Sequence, residues 1–176
     1  LRLVPLGYAG IVDPGDGGGE PVEPEDTNTF ALPIDFEIIK PIVSSFGESA
    51  DSIIPNPFKS GIDSSNFVLE TKKGIETWAG LFINHKGKLD FTTKKSISLK
   101  VYAPKTGDFM IKLEDKASNN TIIKEEIVSI TKANEWVEIS ADFSSTSPGL
   151  YDRITLIPAW NEPNAGTFYL DDIEQK

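Results

Sequence analysis

Apolar and polar residues alternate with a period of two along most of the chain after residue 32. In one such segment Ile97, Leu99 and Val101 share one face, whereas Ser98 and Lys100 take the other. Successive side chains of an extended strand point to opposite sides, so this alternation predicts a β-strand with one buried face. A helix would instead repeat its apolar positions every three to four residues.

The same pattern marks a series of short strands separated by turn residues. Besides residues 96–102, strands are predicted at 34–38, 67–71, 77–85, 109–113, 121–130, 137–143, 153–157 and 167–173. Clusters of Gly, Pro, Asn and Ser between them are typical of turns. Because many short strands occur without helical crossovers, we predict an all-β fold, an antiparallel β-sandwich of the jelly-roll type.

The first 31 residues differ from the rest in composition. Residues 13–26 contain six acidic residues, several Gly and Pro, and no Lys or Arg, which predicts a flexible acidic linker over 13–31. Residues 1–12 alternate well enough to be the last strand of a preceding domain, or they are an expression-vector remnant. We therefore expect a fragment of a longer protein, with its folded domain at 32–176.

Charge and composition exclude several classes of partner. The chain has 17 basic and 27 acidic residues, a formal net charge of -10, whereas nucleic-acid binding requires clustered Lys and Arg. Anionic membranes are disfavoured for the same reason, and no apolar run is long enough to insert into a bilayer. The absence of Cys leaves the cellular compartment undetermined.

Residues for catalysis are scarce. His85 is the single histidine, there is no Cys, and the common nucleophile, phosphate-loop and zinc motifs are missing. His85 is expected to end a strand beside a Lys86–Gly87 turn. A pair of carboxylates acting as in a glycosidase stays open as an alternative, although acidic residues on strands usually face solvent.

The tryptophans are the more informative residues. If Leu81 and Ile83 face the core, Trp78 points outward together with Phe82 and Asn84, and an exposed indole offers a surface on which a sugar ring can stack. Trp160 follows a strand within a loop. The alternatives are that Trp78 lies in the core and that Trp160 anchors its loop. Trp136 is expected to be structural.

Several segments together resemble the jelly-roll carbohydrate-binding modules of families 4, 9 and 22. They are LPIDFE at 32–37, GIDSSNFV at 61–68, WAG at 78–80, KVYAP at 100–104, KLE at 112–114, WVEISADF at 136–143 and FYLDDIE at 168–174. The resemblance implies a module without catalytic activity that binds a polysaccharide, preferably a laminarin-like β-1,3-glucan. It is closest to modules of β-glucan-degrading enzymes and surface glycan-binding proteins.

The resemblance also implies a structural calcium ion between the first and last strands. The matching residues are Glu37 and Asp171, with a backbone carbonyl near Ser60 as a third ligand. Calcium takes six to eight oxygen ligands, so carbonyls or water would complete the shell. The alternative is a buried carboxylate that accepts hydrogen bonds from backbone N–H groups.

These observations lead to one main interpretation and two alternatives. The main interpretation is a glycan-binding module, extracellular or at the cell surface, covalently linked to neighbouring domains. Its binding residues are predicted to be Trp78, Trp160, Phe82, Asn84, Lys100, Lys112 and Glu114. The alternatives are a structural spacer, which has no reason to expose tryptophans, and a small glycoside hydrolase or lyase.

Overall fold

Ten antiparallel strands form two stacked five-stranded sheets in the computed structural model, which describes residues 29–38, 40–119 and 121–176. The strands are β1 Ser44–Phe46, β2 Ala50–Pro55, β3 Phe67–Lys72, β4 Gly80–Asn84, β5 Ser96–Tyr102, β6 Gly107–Glu114, β7 Ile123–Ile130, β8 Trp136–Asp142, β9 Arg153–Ile157 and β10 Thr167–Gln175. The predicted β-sandwich is confirmed. No helix in the described part of the chain is long and apolar enough to span a membrane.

The two sheets differ in which strands they contain. We call the sheet with the strand order β1-β4-β9-β6-β7 the cleft sheet, and the sheet with the order β2-β3-β10-β5-β8 the back sheet. The core lies between them and is filled by the apolar members of each alternating pattern. Leu81, Ile111 and Leu156 contribute from the cleft sheet, and Leu99 and Leu170 from the back sheet, all with at most 1% of their surface exposed.

The strand predictions for 96–102 and 153–157 agree with β5 and β9, and most others differ by a few residues at their ends. The prediction for 34–38 is wrong, because only Ile34 pairs there, in an isolated bridge to Ile173. Phe36 has a positive φ of 58°, which interrupts an extended backbone. Strands β1 and β2 were not predicted, since each lies at a sheet edge and alternates weakly.

The folded unit begins earlier than residue 32. Phe30, which falls in the predicted linker, forms a parallel bridge to His85 and packs partly buried against the core. Its N–H donates to the Asn84 carbonyl at 2.9 Å, and its carbonyl accepts from Lys86 N–H at 2.7 Å. The remaining predictions for residues 1–28, including the strand at 1–12, lie outside the described residues.

Trp136 is structural, and it lies on the side of its strand opposite Ile139 and Ala141, as alternation places it. It pairs with Tyr102 on the outer face of the back sheet rather than facing the core, and it is only 5% exposed. The loop that joins β2 to β3 covers it there, and the indole Nε1–H donates to the Phe58 carbonyl at 2.7 Å. The ring of Phe58 stacks in parallel on Tyr102, with centroids 4.1 Å apart.

Candidate functional site

A cleft of about 350 Å³ lies on the outer face of the cleft sheet. Its lining residues come from all five strands and from the two segments that carry Trp78 and Trp160. They are Phe46, Trp78, Phe82, Met110, Lys112, Glu114, Glu125, Arg153, Thr155, Ile157 and Trp160. The volume falls within the range of roughly 300–1,000 Å³ that is typical of small-ligand sites.

Strand register explains how residues far apart in sequence meet on this face. Phe82 on β4 is level with Thr155 on β9, which is level with Lys112 on β6 and then Glu125 on β7. This row crosses the middle of the cleft. Because side chains alternate across a strand, the residues two positions away form parallel rows on the same face.

The neighbouring rows differ in character. Towards one end of the sheet lie Ile157 and Met110, which are level with each other and with Ile127 on β7. Towards the other end lie Arg153 and Glu114, also level with each other. The cleft floor is therefore apolar at the tryptophan end and charged at the opposite end.

Trp78 lies in a turn just before β4, not within the strand as predicted. The turn nevertheless directs it to the cleft, where its ring is nearly parallel to Phe46, with centroids 6.0 Å apart and an interplanar angle of 11°. The side chain is 49% exposed. An indole backed by a second aromatic ring and open to solvent is a fixed platform for stacking.

Trp160 leaves the same end of the sheet, because it follows β9 and β9 runs antiparallel to β4. Its backbone N–H donates to the Asp108 carbonyl of β6 at 2.9 Å. The two flanking residues, Ala159 and Asn161, have positive φ angles of 46° and 67°. A positive φ is uncommon for residues other than Gly, and Asn adopts it more readily than Ala. Trp160 is half-buried rather than fully exposed.

Glu114 is the centre of a polar network at the charged end. It is 5% exposed, and its Oε2 accepts from the Thr155 hydroxyl at 3.0 Å and lies 3.5 Å from Arg153. Its Oε1 lies 2.8 Å from the Lys112 ammonium. Lys112 is also 3.7 Å from Glu125. Buried charges that are paired in this way hold fixed positions.

Arg153 lies over the ring of Phe82, with its guanidinium carbon 4.1 Å from the ring centroid, a cation–π geometry. Its Nε donates to the Asn84 side-chain oxygen at 2.9 Å. One face of Phe82 is thus covered by protein, and Asn84 supports Arg153 rather than lining the cleft.

The structure brings together five of the seven predicted binding residues, namely Trp78, Trp160, Phe82, Lys112 and Glu114. Lys100 is not among them, so the prediction that it shares this face is wrong. It lies on β5 of the back sheet, where its ammonium is 2.6 Å from Asp172. Alternation identifies which side of a strand is outside but not which sheet the strand joins.

Sequence reasoning missed six of the eleven lining residues, among them Phe46, Arg153 and Thr155. The last two occupy the outward positions of a strand that was predicted with correct ends, so the same alternation rule applied to 153–157 would have found them. Phe46 lies on the short edge strand β1, for which the sequence has no clear pattern.

The predicted metal residues are arranged differently. The Glu37 carboxylate accepts hydrogen bonds from the backbone N–H groups of Asn66 and Phe67, as in the alternative, but it is only partly buried. These bonds, led by that from Phe67, lower the pKa of Glu37. Ser60 forms an isolated bridge with Asp63.

Asp171 and Asp63 form the stronger candidate pair for a cation. Both are at most 1% exposed, and each has a buried Oδ2 without a hydrogen-bond partner. Burial, with a contribution from the neighbouring Asp63 carboxylate, raises the pKa of Asp171 to about 7. The next residue, Asp172, lies in the β-bulge between Asp171 and Glu174, and its carboxylate pairs with Lys100. Two buried, unpartnered carboxylate oxygens fit a hard cation such as Ca²⁺. The described residues contain no group of three or more acidic, His or Cys side chains that could hold a metal ion.

Solved structures confirm the fold. The CBM22-2 xylan-binding domain of Xyn10C from Paenibacillus barcinonensis is similar with a TM-score of 0.55 and 17% identity over 80% of this chain and 95% of that chain. The family 11 carbohydrate-binding module from Clostridium thermocellum was solved with a β-1,3-1,4-mixed-linked tetrasaccharide. It is similar with a TM-score of 0.51 and 17% identity over 75% of this chain and 84% of that chain.

A third similar structure contains a further module. It is the Clostridium thermocellum xylanase 10B fragment of CBM22-1 and GH10 modules complexed with xylohexaose, with a TM-score of 0.57 and 15% identity over 80% of this chain and 26% of that chain. No curated protein matches the chain.

A family model provides the assignment that these distant structural similarities cannot. The model CBM_4_9, described as a carbohydrate binding domain, matches residues 47–156, which is more than half of the chain. The match includes the cleft strands β4, β6 and β7 and all of β9 except Ile157. The chain therefore belongs to the CBM_4_9 family of carbohydrate-binding domains.

Proposed function

We propose that this carbohydrate-binding domain holds a laminarin-like β-1,3-glucan in the cleft, without cleaving it. The observation that carries the proposal is the pair of tryptophans at one end of the cleft, with a fixed polar network at the other end. A pyranose ring presents C–H groups on its faces and hydroxyls at its edge. Trp78 and Trp160 would stack on the faces, while Lys112, Arg153 and Glu125 would contact the hydroxyls.

The charges of the cleft favour a neutral sugar. Lys112 and Arg153 are each close to a carboxylate, Glu114 or Glu125, so the two positive charges are balanced by two negative ones. An acidic polysaccharide would require an uncompensated cation to offset the desolvation of its carboxylates. Support for a glucan comes from the similar family 11 module, whose structure contains a mixed-linked β-glucan tetrasaccharide. Two other similar structures concern xylan or xylohexaose, which makes xylan the main competing ligand.

The proposal includes a place for this domain in a larger secreted or surface protein. The similar fragment that joins a CBM22 module to a GH10 module illustrates such an arrangement. By holding a polysaccharide, the domain would keep a covalently linked neighbour close to its substrate, which raises the effective concentration. Glu114 is poorly suited to act as a general acid, because both of its oxygens are engaged by Lys112, Thr155 and Arg153.

A second proposal is that Ca²⁺ binds between Asp63 and Asp171 and stabilises the back sheet. The supporting observation is that both residues bury an oxygen with no partner. An unpaired carboxylate in the interior is costly, and a divalent cation would offset that cost. The ion would join the loop between β2 and β3 to β10, away from the cleft.

The ligand proposal is tested by affinity electrophoresis and calorimetry on laminarin, mixed-linkage glucan, xylan, mannan and alginate. We expect laminarin to bind most tightly and alginate not to bind. Tighter binding to xylan would contradict the glucan assignment but keep the cleft as the site. Absence of binding to every polysaccharide would favour a spacer, and release of reducing sugar would favour a hydrolase.

The position of the site is tested with a matched pair of variants. Trp78→Ala removes the exposed aromatic of the cleft, and Phe58→Ala removes a partly exposed aromatic of the β2–β3 loop, which stacks on the back sheet. Only Trp78→Ala should weaken binding. Equal losses in the two variants would show that the cleft is not the binding surface.

A further inference from the structure

Lys73 is a buried cation at the base of the turn that carries Trp78. It follows β3 directly and is 2% exposed. Its ammonium donates hydrogen bonds to the carbonyls of Thr77 at 3.0 Å and Ala79 at 2.8 Å. These are the carbonyls of the residues on either side of Trp78, so one side chain fixes the backbone at both ends of the tryptophan.

The same part of the chain is joined to the segment that follows Trp160. The Lys73 N–H donates to the Gly166 carbonyl at 3.0 Å, and the Gly74 carbonyl accepts from Asn164 N–H at 2.8 Å. Lys73 therefore connects to one tryptophan-bearing segment through its side chain and to the other through its backbone.

Close packing leaves this junction little freedom. A Cβ atom at Gly74 would lie 2.0 Å from the Gly47 carbonyl oxygen, and one at Gly47 would lie 2.8 Å from Ala79. The loop that follows β1 is thus packed against the Trp78 turn. Movement of Lys73 or of the Trp78 turn would therefore have to displace the backbone of the loop that follows β1.

A charged amine is an expensive choice for filling this space. Burial lowers the pKa of Lys73 to about 8, with the charge of Glu162 acting in the opposite direction. A methionine would fill a similar volume without desolvating a charge. Methionine has no hydrogen-bond donor, whereas the Lys73 ammonium donates to the Thr77 and Ala79 carbonyls of the turn.

We propose that Lys73 is a positioning residue for ligand binding, which holds Trp78 at its working distance from Trp160 through the Thr77 and Ala79 carbonyls. The inference rests on the proposed role of Trp78 in binding glucan. It adds a residue that does not line the cleft and would not touch the sugar.

The first test follows Trp78 itself and does not involve a sugar. The protein is labelled with 5-fluorotryptophan, and the three ¹⁹F resonances are assigned with single Trp→Phe variants. Lys73→Met should shift or broaden the Trp78 resonance and leave that of Trp136 unchanged. If Lys73→Met does not fold, Lys73→Gln is used, with the same expectation. An unchanged Trp78 resonance in a folded variant overturns the proposal.

The second test is a double-mutant cycle with laminarin. Lys73→Met should weaken binding by about tenfold in the otherwise native protein and by less than about twofold when Trp78 is already Ala, since coupled residues are not additive. Equal losses in both backgrounds would mean that Lys73 acts on the fold generally, which would overturn the proposal. Ile139→Val, a destabilising change in the core of the back sheet, is the control and should alter neither the resonance nor the affinity.

The two proposals fail in different ways. If laminarin does not bind even to the native protein, the glucan assignment fails, and the Trp78 resonance still decides whether Lys73 positions that ring. If laminarin binds and Trp78→Ala weakens it, an unchanged resonance in Lys73→Met rejects Lys73 alone.

Discussion

Aromatic residues of the cleft differ in how much of each ring is free. Trp78 is supported by Phe46 on one side and is half-exposed, so it can accept a sugar without rearranging. Phe82 has Arg153 over its ring, and a sugar could stack there only by displacing the guanidinium. We therefore expect the tryptophans to provide the stacking energy for the sugar. Phe82 is expected to act by positioning Arg153.

Truncation of either tryptophan should therefore weaken binding selectively. Trp78→Ala and Trp160→Ala are each expected to reduce laminarin affinity by at least about tenfold, since hot-spot aromatics commonly contribute more than about 2 kcal/mol. The far-UV circular dichroism spectrum should not change, because neither ring belongs to the core between the sheets. Unfolding of Trp78→Ala together with native affinity of Trp160→Ala would refute this assignment.

Alternation predicted which residues of each strand face outward, but it did not predict which strands lie side by side in a sheet. It placed Phe82, Lys112 and Glu114 on outward faces, and all three line the cleft. It also placed Lys100 outward, correctly, but gave no information on its sheet, which depends on long-range pairing. Neither the turn at Trp78 nor the ion pairs around Glu114 follow from alternation, because both require knowledge of which strands are neighbours.

Among the structural elements, the loop between β2 and β3 has a packing role that alternation does not reveal. It runs across the outer face of the back sheet, where Phe58 covers Tyr102 and Trp136 and Asp63 approaches Asp171. Residues 56–66 resemble a simple polar turn in composition. Within this loop Asn56 and Asp63 are nevertheless buried, and Phe58 stacks on an aromatic residue that the sheet beneath presents outward.

This loop makes Trp136 a stability residue. Trp136→Ala should destabilise the domain by about 3–5 kcal/mol, the usual cost of deleting a large buried ring. Trp136→Phe retains a buried ring but loses the bond to the Phe58 carbonyl, with an expected loss nearer to about 1–2 kcal/mol including that bond. Urea unfolding measures both. Laminarin affinity should be unchanged in the folded state, and a loss there would argue that the two sheets are coupled.

The loop after β1 supports the cleft through a close contact at Gly47. Gly47 has a φ of 65° and Gly87 a φ of 81°, but an added Cβ meets Ala79 at Gly47 and open space at Gly87. Both Gly→Ala variants should lose about 1–2 kcal/mol from left-handed strain. Gly47→Ala alone should lose more stability and also weaken laminarin binding, because it displaces the Trp78 turn. Equal effects of the two variants would contradict this packing argument.

Over the whole molecule, the two sheets divide the candidate functions between them. The cleft with its tryptophans lies outside one sheet, whereas the Asp63–Asp171 pair lies outside the other, and the apolar core separates them. The sandwich class was predictable from the period-two pattern, because that pattern is local. Sheet order and the meeting of Asp63 with Asp171 were not, since they depend on contacts between segments far apart in sequence, about a hundred residues for the two aspartates.

This separation predicts that calcium affects stability without affecting ligand binding. If Ca²⁺ binds only the native state, a free concentration one hundred times its dissociation constant adds about 2.7 kcal/mol to stability. Chelation with EDTA should therefore lower the melting temperature, and Asp171→Asn or Asp63→Asn should remove that sensitivity. Glu37→Gln is the control, because backbone N–H groups already engage its carboxylate. It should stay sensitive to EDTA.

Laminarin affinity, measured well below the melting temperature, should be the same with and without calcium, since the ion would lie on the far side of the core. A melting temperature that does not respond to EDTA, in protein from which metal has been removed by unfolding and refolding, would count against the site. A calcium-dependent affinity would instead show that the back sheet communicates with the cleft.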